Sequence, residues 1–280
     1  MKAIVNRIIP FSSVDGPGNR TAVFLQGCNL NCKYCHNPET RVVCENCGIC
    51  VSQCPAKALT FDRNKKVNFH SEKCLLCDTC IRVCPHSSSP KVREMTAKEV
   101  YEVVKHQIPF IRGVTVSGGE CMLYPEFLLE LFTLAAQAGL GTLIDSNGTI
   151  PFCQYPELLR VTDGVMLDIK AFDRTDHERI TGFSNETVLE NVRFLLAEGK
   201  LEEIRVVVVQ DLYDARESVS HIADLLSDCK AREDIRIKLI AYRPMGVRKE
   251  YSGYQIPSPD FLEELAELIR AKGYRKIVMI

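Results

Sequence analysis

The chain has 280 residues, 46% of them apolar, and a formal net charge of −1. That suffices for one large α/β domain with a sizeable core and a small insert, and the balanced charge without a long basic run argues against a nucleic-acid enzyme. No apolar stretch approaches the roughly 18 residues of a membrane span, and Arg7 interrupts the short apolar run where a signal peptide would need an unbroken one.

Residues 2–9 alternate loosely and read as an edge strand, followed by a turn at Asp15-Gly16-Pro17-Gly18. Thr21 to Leu25 reads as a buried strand, so the loop after it lies at the strand's C-terminal end, where α/β barrels carry their active-site loops. In that loop Cys28, Cys32 and Cys35 stand at C-x3-C-x2-C. Iron–sulfur clusters normally take four Cys ligands. Three leave an iron with room for something else, and open coordination marks catalytic metal sites. A zinc site borrowing a His, such as His36, is the alternative. It is the weaker one, because zinc sites usually come as paired short Cys or Cys/His steps.

Eleven of the fourteen cysteines fall between Cys28 and Cys84. A disulfide-rich secreted chain is normally small, so this clustering reads as metal binding in a reducing cytoplasm. Cys121, Cys153 and Cys229 lie outside it and are expected to be small buried residues. Within residues 41–90, Cys44-x2-Cys47-x2-Cys50-x3-Cys54-Pro55 precedes Cys74-x2-Cys77-x2-Cys80-x3-Cys84-Pro85. This is the bacterial ferredoxin run twice over, in which the fourth Cys of each run ligates the other cluster. One expected set is therefore Cys44, Cys47, Cys50 and Cys84, and the other is Cys74, Cys77, Cys80 and Cys54. Neither set leaves an open iron, so electron relay is the natural role, and stapling of the insert is compatible with it. The prolines and the duplication weigh against a double zinc knuckle.

Thr96-Ala97-Lys98-Glu99 is a capping-box start to a helix reaching about Gln107. Strands are then expected at Gly113–Val116, Gly141–Asp145, Gly164–Asp168, Glu203–Val209, Ile235–Ile240 and Arg275–Ile280. Helices are expected between them at Pro125–Ala138, Tyr155–Leu159, Thr187–Glu198, Arg216–Ser227 and Pro259–Ala271, the last with Ser258 as N-cap. Six strand–helix units joined by short loops argue for a parallel sheet. Ser117-Gly118-Gly119-Glu120, Asp145-Ser146-Asn147-Gly148 and Asp168-Ile169-Lys170 end successive strands. They put glycines that permit close backbone approach, and acidic groups that need partners, on one side of the fold.

The C-x3-C-x2-C spacing with Tyr34 before the third Cys resembles the radical S-adenosylmethionine (SAM) superfamily. The stretch from Ile8 through Asp15-Gly16-Pro17-Gly18 to Cys35-His36-Asn37 is similar to the glycyl-radical-enzyme activases, most closely their YjjW type. The resemblance covers nearly the whole chain. It implies a partial (β/α)6 TIM-like barrel over 1–40 and 91–280, with a ferredoxin-like 2[4Fe–4S] domain inserted at 41–90. It implies three [4Fe–4S] clusters, one of them on Cys28, Cys32 and Cys35 with SAM chelating its open iron. The SAM pocket would take in Tyr34, Cys35, His36, Gly118, Gly119, Glu120, Asp145, Ser146, Asp168, Ile169, Lys170, Arg205 and Arg243. A monovalent cation would sit at Asp145, Ser146, Met166 and Asp168. The chain departs from related activases at Arg243, where a SAM-contacting His is found, and at Gln210-Asp211, which replaces a Pro-Gly.

The implied reaction is reductive cleavage of SAM to methionine and a 5′-deoxyadenosyl radical, which takes hydrogen from a glycine of a partner glycyl radical enzyme. A flavodoxin or ferredoxin would donate the electron. No acid–base residue is expected, and neither nucleic acid nor membrane. Asp15, Gly16 and Gly18 are expected to form the partner's docking edge beside the barrel mouth rather than part of the SAM site. Two readings compete: a radical SAM enzyme acting on a small molecule, and an iron–sulfur electron carrier. Formation of 5′-deoxyadenosine separates the carrier from both enzymes, and a partner-protein assay separates the two enzymes.

Overall fold

The strand leading to the three-cysteine loop, β2 (Arg20–Leu25), has five of its six residues buried, as a strand covered on both faces must. In the computed structural model, described over residues 1–227 and 235–280, β2 lies inside a nine-stranded sheet. Beside β2 on one side run β6 (Gly113–Gly118), β7 (Gly141–Ser146), β8 (Gly164–Asp168), β9 (Leu201–Val208), β10 (Arg236–Ala241) and β11 (Ile277–Met279), each parallel to its neighbour. On the other side β1 (Lys2–Ser12) is antiparallel to β2, and β5 (Arg93–Thr96) is antiparallel to β1. The fold is thus α/β with a mostly parallel sheet.

β1 is not the edge strand that its alternation suggests. Lys2–Val5 pair outward with Arg93–Thr96, a four-residue strand too short to show a period of its own. It runs directly into α3 (Ala97–Lys105), whose capping box forms as expected: Thr96 accepts from the Glu99 amide, and the Glu99 carboxylate accepts from the Thr96 amide. The other main helices follow their strands in turn: α4 (Pro125–Gln137), α5 (Pro156–Arg160), α6 (Arg174–Thr181), α7 (Glu186–Ala197), α8 (Ala215–Leu225) and α9 (Pro259–Ala271). α6 escapes a reading by apolar period because its sequence RTDHERIT is mostly polar. Its ends are nonetheless marked, with the Asp173 carboxylate accepting from the Asp176 amide and Gly182 at φ 86°.

Strand side chains alternate between faces. Val114, Val116, Ile144, Val165, Leu167, Ile204, Val206, Ile237 and Leu239 join the main core with the buried faces of the helices. The intervening positions include Thr115, Ser117, Asp145, Asp168, Glu203, Arg205 and Lys238, so the opposite face of the sheet is polar and charged.

Residues 41–91 pack differently. A two-stranded hairpin, β3 (Leu59–Phe61) and β4 (Val67–Phe69), sits with the single-turn helices α1 (Ile49–Ser52) and α2 (Thr79–Arg82). They share a small apolar cluster of Cys50, Leu59 and Cys80, with Cys54, Val67, Phe69, Ile81 and Val83 packed around it. A core this small needs further cross-links to be stable. Among the described residues no helix is long and apolar enough to cross a membrane.

Candidate functional site

The loop after β2 is held from three directions. The amides of Gly27 and Cys28 donate to the carbonyls of Thr40 and Arg41 at 2.8 and 2.9 Å, and the fully buried Gln26 amide nitrogen donates to the carbonyls of Glu39 and Val42. The amides of Asn31 and Lys33 donate to Thr181 and Ile180 at the end of α6. Arg248, whose guanidinium lies over Tyr251, donates to the Cys32 carbonyl at 3.0 Å. His36 Nε2 is 3.0 Å from the Arg243 carbonyl, and a Cβ on Gly246 would stand 2.3 Å from the His36 carbonyl oxygen. Tyr34, 2% exposed, donates to the Lys170 carbonyl at 3.3 Å.

This bracing brings Cys28, Cys32 and Cys35 to one wall of a cavity with about 300 Å³ open to water. Tyr34, His36, Ser117, Gly118, Gly119, Asp145, Ser146, Asn147, Asp168, Lys170 and Arg205 line it too. The three thiols also border a smaller hollow beside Arg41, Gly119 and Arg248. Burial pushes the Cys28 thiol up to about 12 and the Cys32 thiol up to about 11, so thiolate formation here is coupled to metal binding. Among the described residues no three His, Cys, Asp or Glu side chains form a set for a single metal ion. Thiols spread around a hollow, one short of four, suit an iron–sulfur cluster with an open iron.

Gly118 and Gly119 are required by contact. A Cβ on either would lie 2.2 Å from backbone atoms, of Leu25 and of Gly27 respectively, and Gly118 has φ +129°. Glu120 does not reach the cavity wall as the G-G-E resemblance implies. Its carboxylate, 1% exposed, accepts from the Met122 amide, the Ser146 hydroxyl and the Asn147 amide at 2.7–2.9 Å. Burial lifts it to about 7. Glu120 thus joins the loops after β6 and β7 from beneath. Ile169 is fully buried in the core, and the exposed Arg243 meets the site through its carbonyl on His36.

Four ion pairs organise the charged face. Lys170 Nζ is 2.6 Å from Asp168 Oδ2. Burial works against its charge, but Asp168, Tyr34 and Cys32 hold its pKa well above the usual lysine range. Arg205 donates to Asp145 at 2.7 Å and to Glu203 at 2.5 Å, and also contacts the Met166 sulfur. Arg236 pairs with Glu203 from the other side. Burial raises the Asp145 carboxyl, while Arg205 and the Ser117 hydroxyl pull it back toward the ionised form. Arg205, equally readable as structural from the sequence, is both a bracket and a wall of the cavity.

The Asp15–Gly18 turn does not sit beside Cys28. It joins β1 to the start of β2, and the three-cysteine loop follows the other end, about 20 Å away at 3.3 Å per residue. Gly16 is packed against Leu143 and Arg20, which is why its φ of +117° needs glycine. Asp15 accepts from Ser12 and still lines the cavity, so it closes the floor beneath the thiols. Buried Arg20 fixes this end, donating to Thr115 and to the carbonyls of Val114 and Gly141 at 2.8–3.0 Å. Sequence reasoning also passed over Arg248 and Asn147. Asn147, which donates to Asn29 at 3.0 Å, belongs to a segment already singled out; the role of Arg248 depends on a contact 216 residues away in the chain.

In the insert, Cys54, Cys74, Cys77 and Cys80 line one hollow. Cys44 has Cys84 and Cys47 as near neighbours, and Cys50 has Cys44, Cys80 and Cys84. The Ala58 and Ser88 amides donate to the Cys54 and Cys84 sulfurs at 3.2 and 3.4 Å. Of the outlying cysteines, Cys121 is fully buried and donates to the Asp145 carbonyl. Cys153 is exposed, contrary to expectation, because Phe152 takes the inward place in its turn. Cys229 lies outside the described residues.

The sequence profile of the radical SAM superfamily matches residues 22–229. The indoleacetate decarboxylase activating enzyme of Tractidigestivibacter scatoligenes is 31% identical, over 99% of this chain and 98% of the relative. The choline trimethylamine-lyase activating enzyme of Oleidesulfovibrio alaskensis is 31% identical, over 91% of this chain and 89% of the relative. The crystal structure of Streptococcus suis SuiB bound to precursor peptide SuiA shares the fold, with a TM-score of 0.59 and 12% identity over 91% of this chain and 47% of that one. The chain belongs to the radical SAM superfamily, among its glycyl-radical enzyme activating enzymes.

Proposed function

We propose that Cys28, Cys32 and Cys35 hold the catalytic [4Fe–4S] cluster of this activating enzyme, with SAM beside it in the cavity. The observation that carries the reading is the set of three thiols sharing one cavity with Gly118, Gly119, Asp168 and Lys170. When bound, the cluster and SAM together supply a 5′-deoxyadenosyl radical that takes hydrogen from a glycine of the partner enzyme. The chain's own residues bind and orient. Lys170, kept protonated by Asp168, would meet the carboxylate of SAM. The carbonyls of Gly118 and Gly119 would accept from the amino group of SAM. Tyr34 and His36 bound the cavity and limit entry of water, which protects a radical formed there. Asp145 and Asp168, with backbone oxygens of Ser146 and Met166, would take a monovalent cation.

In the insert we assign Cys44, Cys47, Cys50 and Cys84 to one relay cluster and Cys54, Cys74, Cys77 and Cys80 to the other. The hollow that Cys54, Cys74, Cys77 and Cys80 share supports the second set, and the nearness of Cys44 to Cys84 and Cys47 supports the first. A low-potential donor such as flavodoxin or ferredoxin, in a reducing cytoplasm, would feed them. Anaerobically reconstituted protein is expected to hold about twelve iron atoms and as many sulfides per chain. About four irons, or stoichiometric zinc, would remove the relay clusters from this reading.

We assign the docking of the partner's glycyl loop to the floor of the cavity. There Asp15 faces inward, and exposed Phe11 and Val14 flank it along the chain. Asp15→Ala is expected to suppress glycyl-radical formation on the partner, read by its electron paramagnetic resonance signal, at least about tenfold, an effect of 1.4 kcal/mol. Uncoupled 5′-deoxyadenosine formation should stay within about threefold in the same variant. Equal loss of both would place Asp15 in the SAM site or the fold.

A further inference from the structure

The two cysteine runs of the insert are copies, so their differences are informative. Between the first two thiols of each run the first copy has Glu45-Asn46 and the second has Leu75-Leu76. Both second positions are left-handed, at φ 61° for Asn46 and 55° for Leu76. Asparagine suits that conformation, and Asn46 is anchored there by the Val67 amide at 2.9 Å. Leucine does not suit it, and Leu75 and Leu76 gain nothing from burial, being 70% and 77% exposed. Next to them Cys77 is exposed, as is its counterpart Cys47, so each set has a thiol open to solvent, and only in the second do leucines stand beside it. A strained Leu76 and its exposed neighbour Leu75, set between two thiols, suit a contact with something outside the chain.

Charge says what that something is. Residues 41–90 hold seven Lys and Arg against four Asp and Glu, in a chain whose net charge is −1. Exposed Lys57 and Arg82 are close to the second set: the Lys57 amide donates to the Cys54 carbonyl, and the Arg82 guanidinium donates to the Cys77 carbonyl at 2.8 Å. Exposed Lys73 precedes Cys74. Of the acidic residues of this stretch, Asp78 is paired with Lys91, and Glu72 lies 3.5 Å from His70. A basic rim around an apolar centre fits an acidic protein.

The order of the two sets agrees with entry at this face. Cys44 follows three residues after Arg41, whose carbonyl accepts from the Cys28 amide. Ser88, bonded to the Cys84 sulfur, donates its hydroxyl to the Val42 carbonyl, and the Ser89 amide donates to Glu39. The Cys44/Cys47/Cys50/Cys84 set is thus stitched to the segment that braces the catalytic thiols.

We infer that the face formed by Leu75, Leu76 and Cys77, rimmed by Lys57, Lys73 and Arg82, is the docking surface for an acidic flavin or iron–sulfur electron-donor protein. The donor gives up one electron here, to the Cys54/Cys74/Cys77/Cys80 set, and the electron passes inward through the Cys44 set. No bond is formed or broken in the transfer. This rests on the cluster assignment proposed above.

The test uses reconstituted holoenzyme and a reduced acidic flavodoxin as the probe, with Leu75→Glu/Leu76→Glu compared to Ile49→Glu on the first run. The double variant should weaken flavodoxin binding at least tenfold and lower flavodoxin-driven SAM cleavage, while dithionite-driven cleavage is unchanged. Wild-type affinity should fall as salt rises. Ile49→Glu should bind like wild type. Unchanged affinity in the double variant at about twelve irons, or loss confined to Ile49→Glu, would overturn the docking face alone. About four irons in the wild type would overturn the cluster assignment and this proposal with it.

Discussion

Cys32→Ala is expected to abolish SAM cleavage whatever the reductant, and the same holds for Cys28→Ala and Cys35→Ala. Cys32 lines both the main cavity and the hollow beside it, and Arg248 and Lys33 fix the loop around it. Losing one thiol from a site that has only three leaves two protein ligands for a whole cluster. The insert cysteines should behave otherwise. With dithionite feeding the catalytic site directly, Cys77→Ala should retain SAM cleavage within about threefold, a change of less than about 1 kcal/mol. With a protein donor the same variant should fail. The measurement is 5′-deoxyadenosine formed per chain under each reductant, with circular dichroism to confirm folding. A folded Cys77→Ala protein as inactive as Cys32→Ala under dithionite would refute the relay role.

Arg205→Met is the second large effect, and it falls on stability. Arg205 is 10% exposed and bridges Asp145, 11% exposed, and Glu203, 1% exposed. Removing it leaves Asp145 with the Ser117 hydroxyl and Glu203 with Arg236, with Lys238 as a further cation near both. Stranding a buried carboxylate in this way costs about 3–5 kcal/mol. Arg205→Lys should recover only part of that, since one ammonium cannot span two carboxylates as a guanidinium fork does. Asp145→Asn combined with Arg205→Met should cost less than the two single changes together, because the second removes a charge that the first has stranded. Denaturant unfolding of the four variants against the wild type checks this. A loss below about 1 kcal/mol in Arg205→Met would match an ordinary exposed pair instead.

The local signals that survived folding are those whose physics is local. The Thr96–Glu99 capping box, the Ser258 cap and Pro259 start of α9, and the bounds of β8 all form where a few neighbouring residues decide the outcome. The thiol spacing is of the same kind, because C-x3-C-x2-C already limits how far three sulfurs can separate. The side on which Asp145, Asp168 and Arg205 stand was also legible, since strand alternation is a property of the chain itself.

What the tertiary structure alone decided is which partner each of those groups meets. The Glu120 carboxylate turned toward Ser146 and Asn147 because two adjacent strand ends offered it three donors. β1 ceased to be an edge when a four-residue strand 90 residues away paired with it. The Asp15 turn went to the floor of the cavity and not its mouth because β1 and β2 are antiparallel neighbours, so their connection lies at the opposite end from Cys28. Arg20 and Arg248 became brackets through carbonyls that sequence distance conceals. Hydrogen bonds and ion pairs are short-ranged, a few ångströms at most. A linear sequence shows which groups need partners, and only the folded chain brings a particular partner within that range.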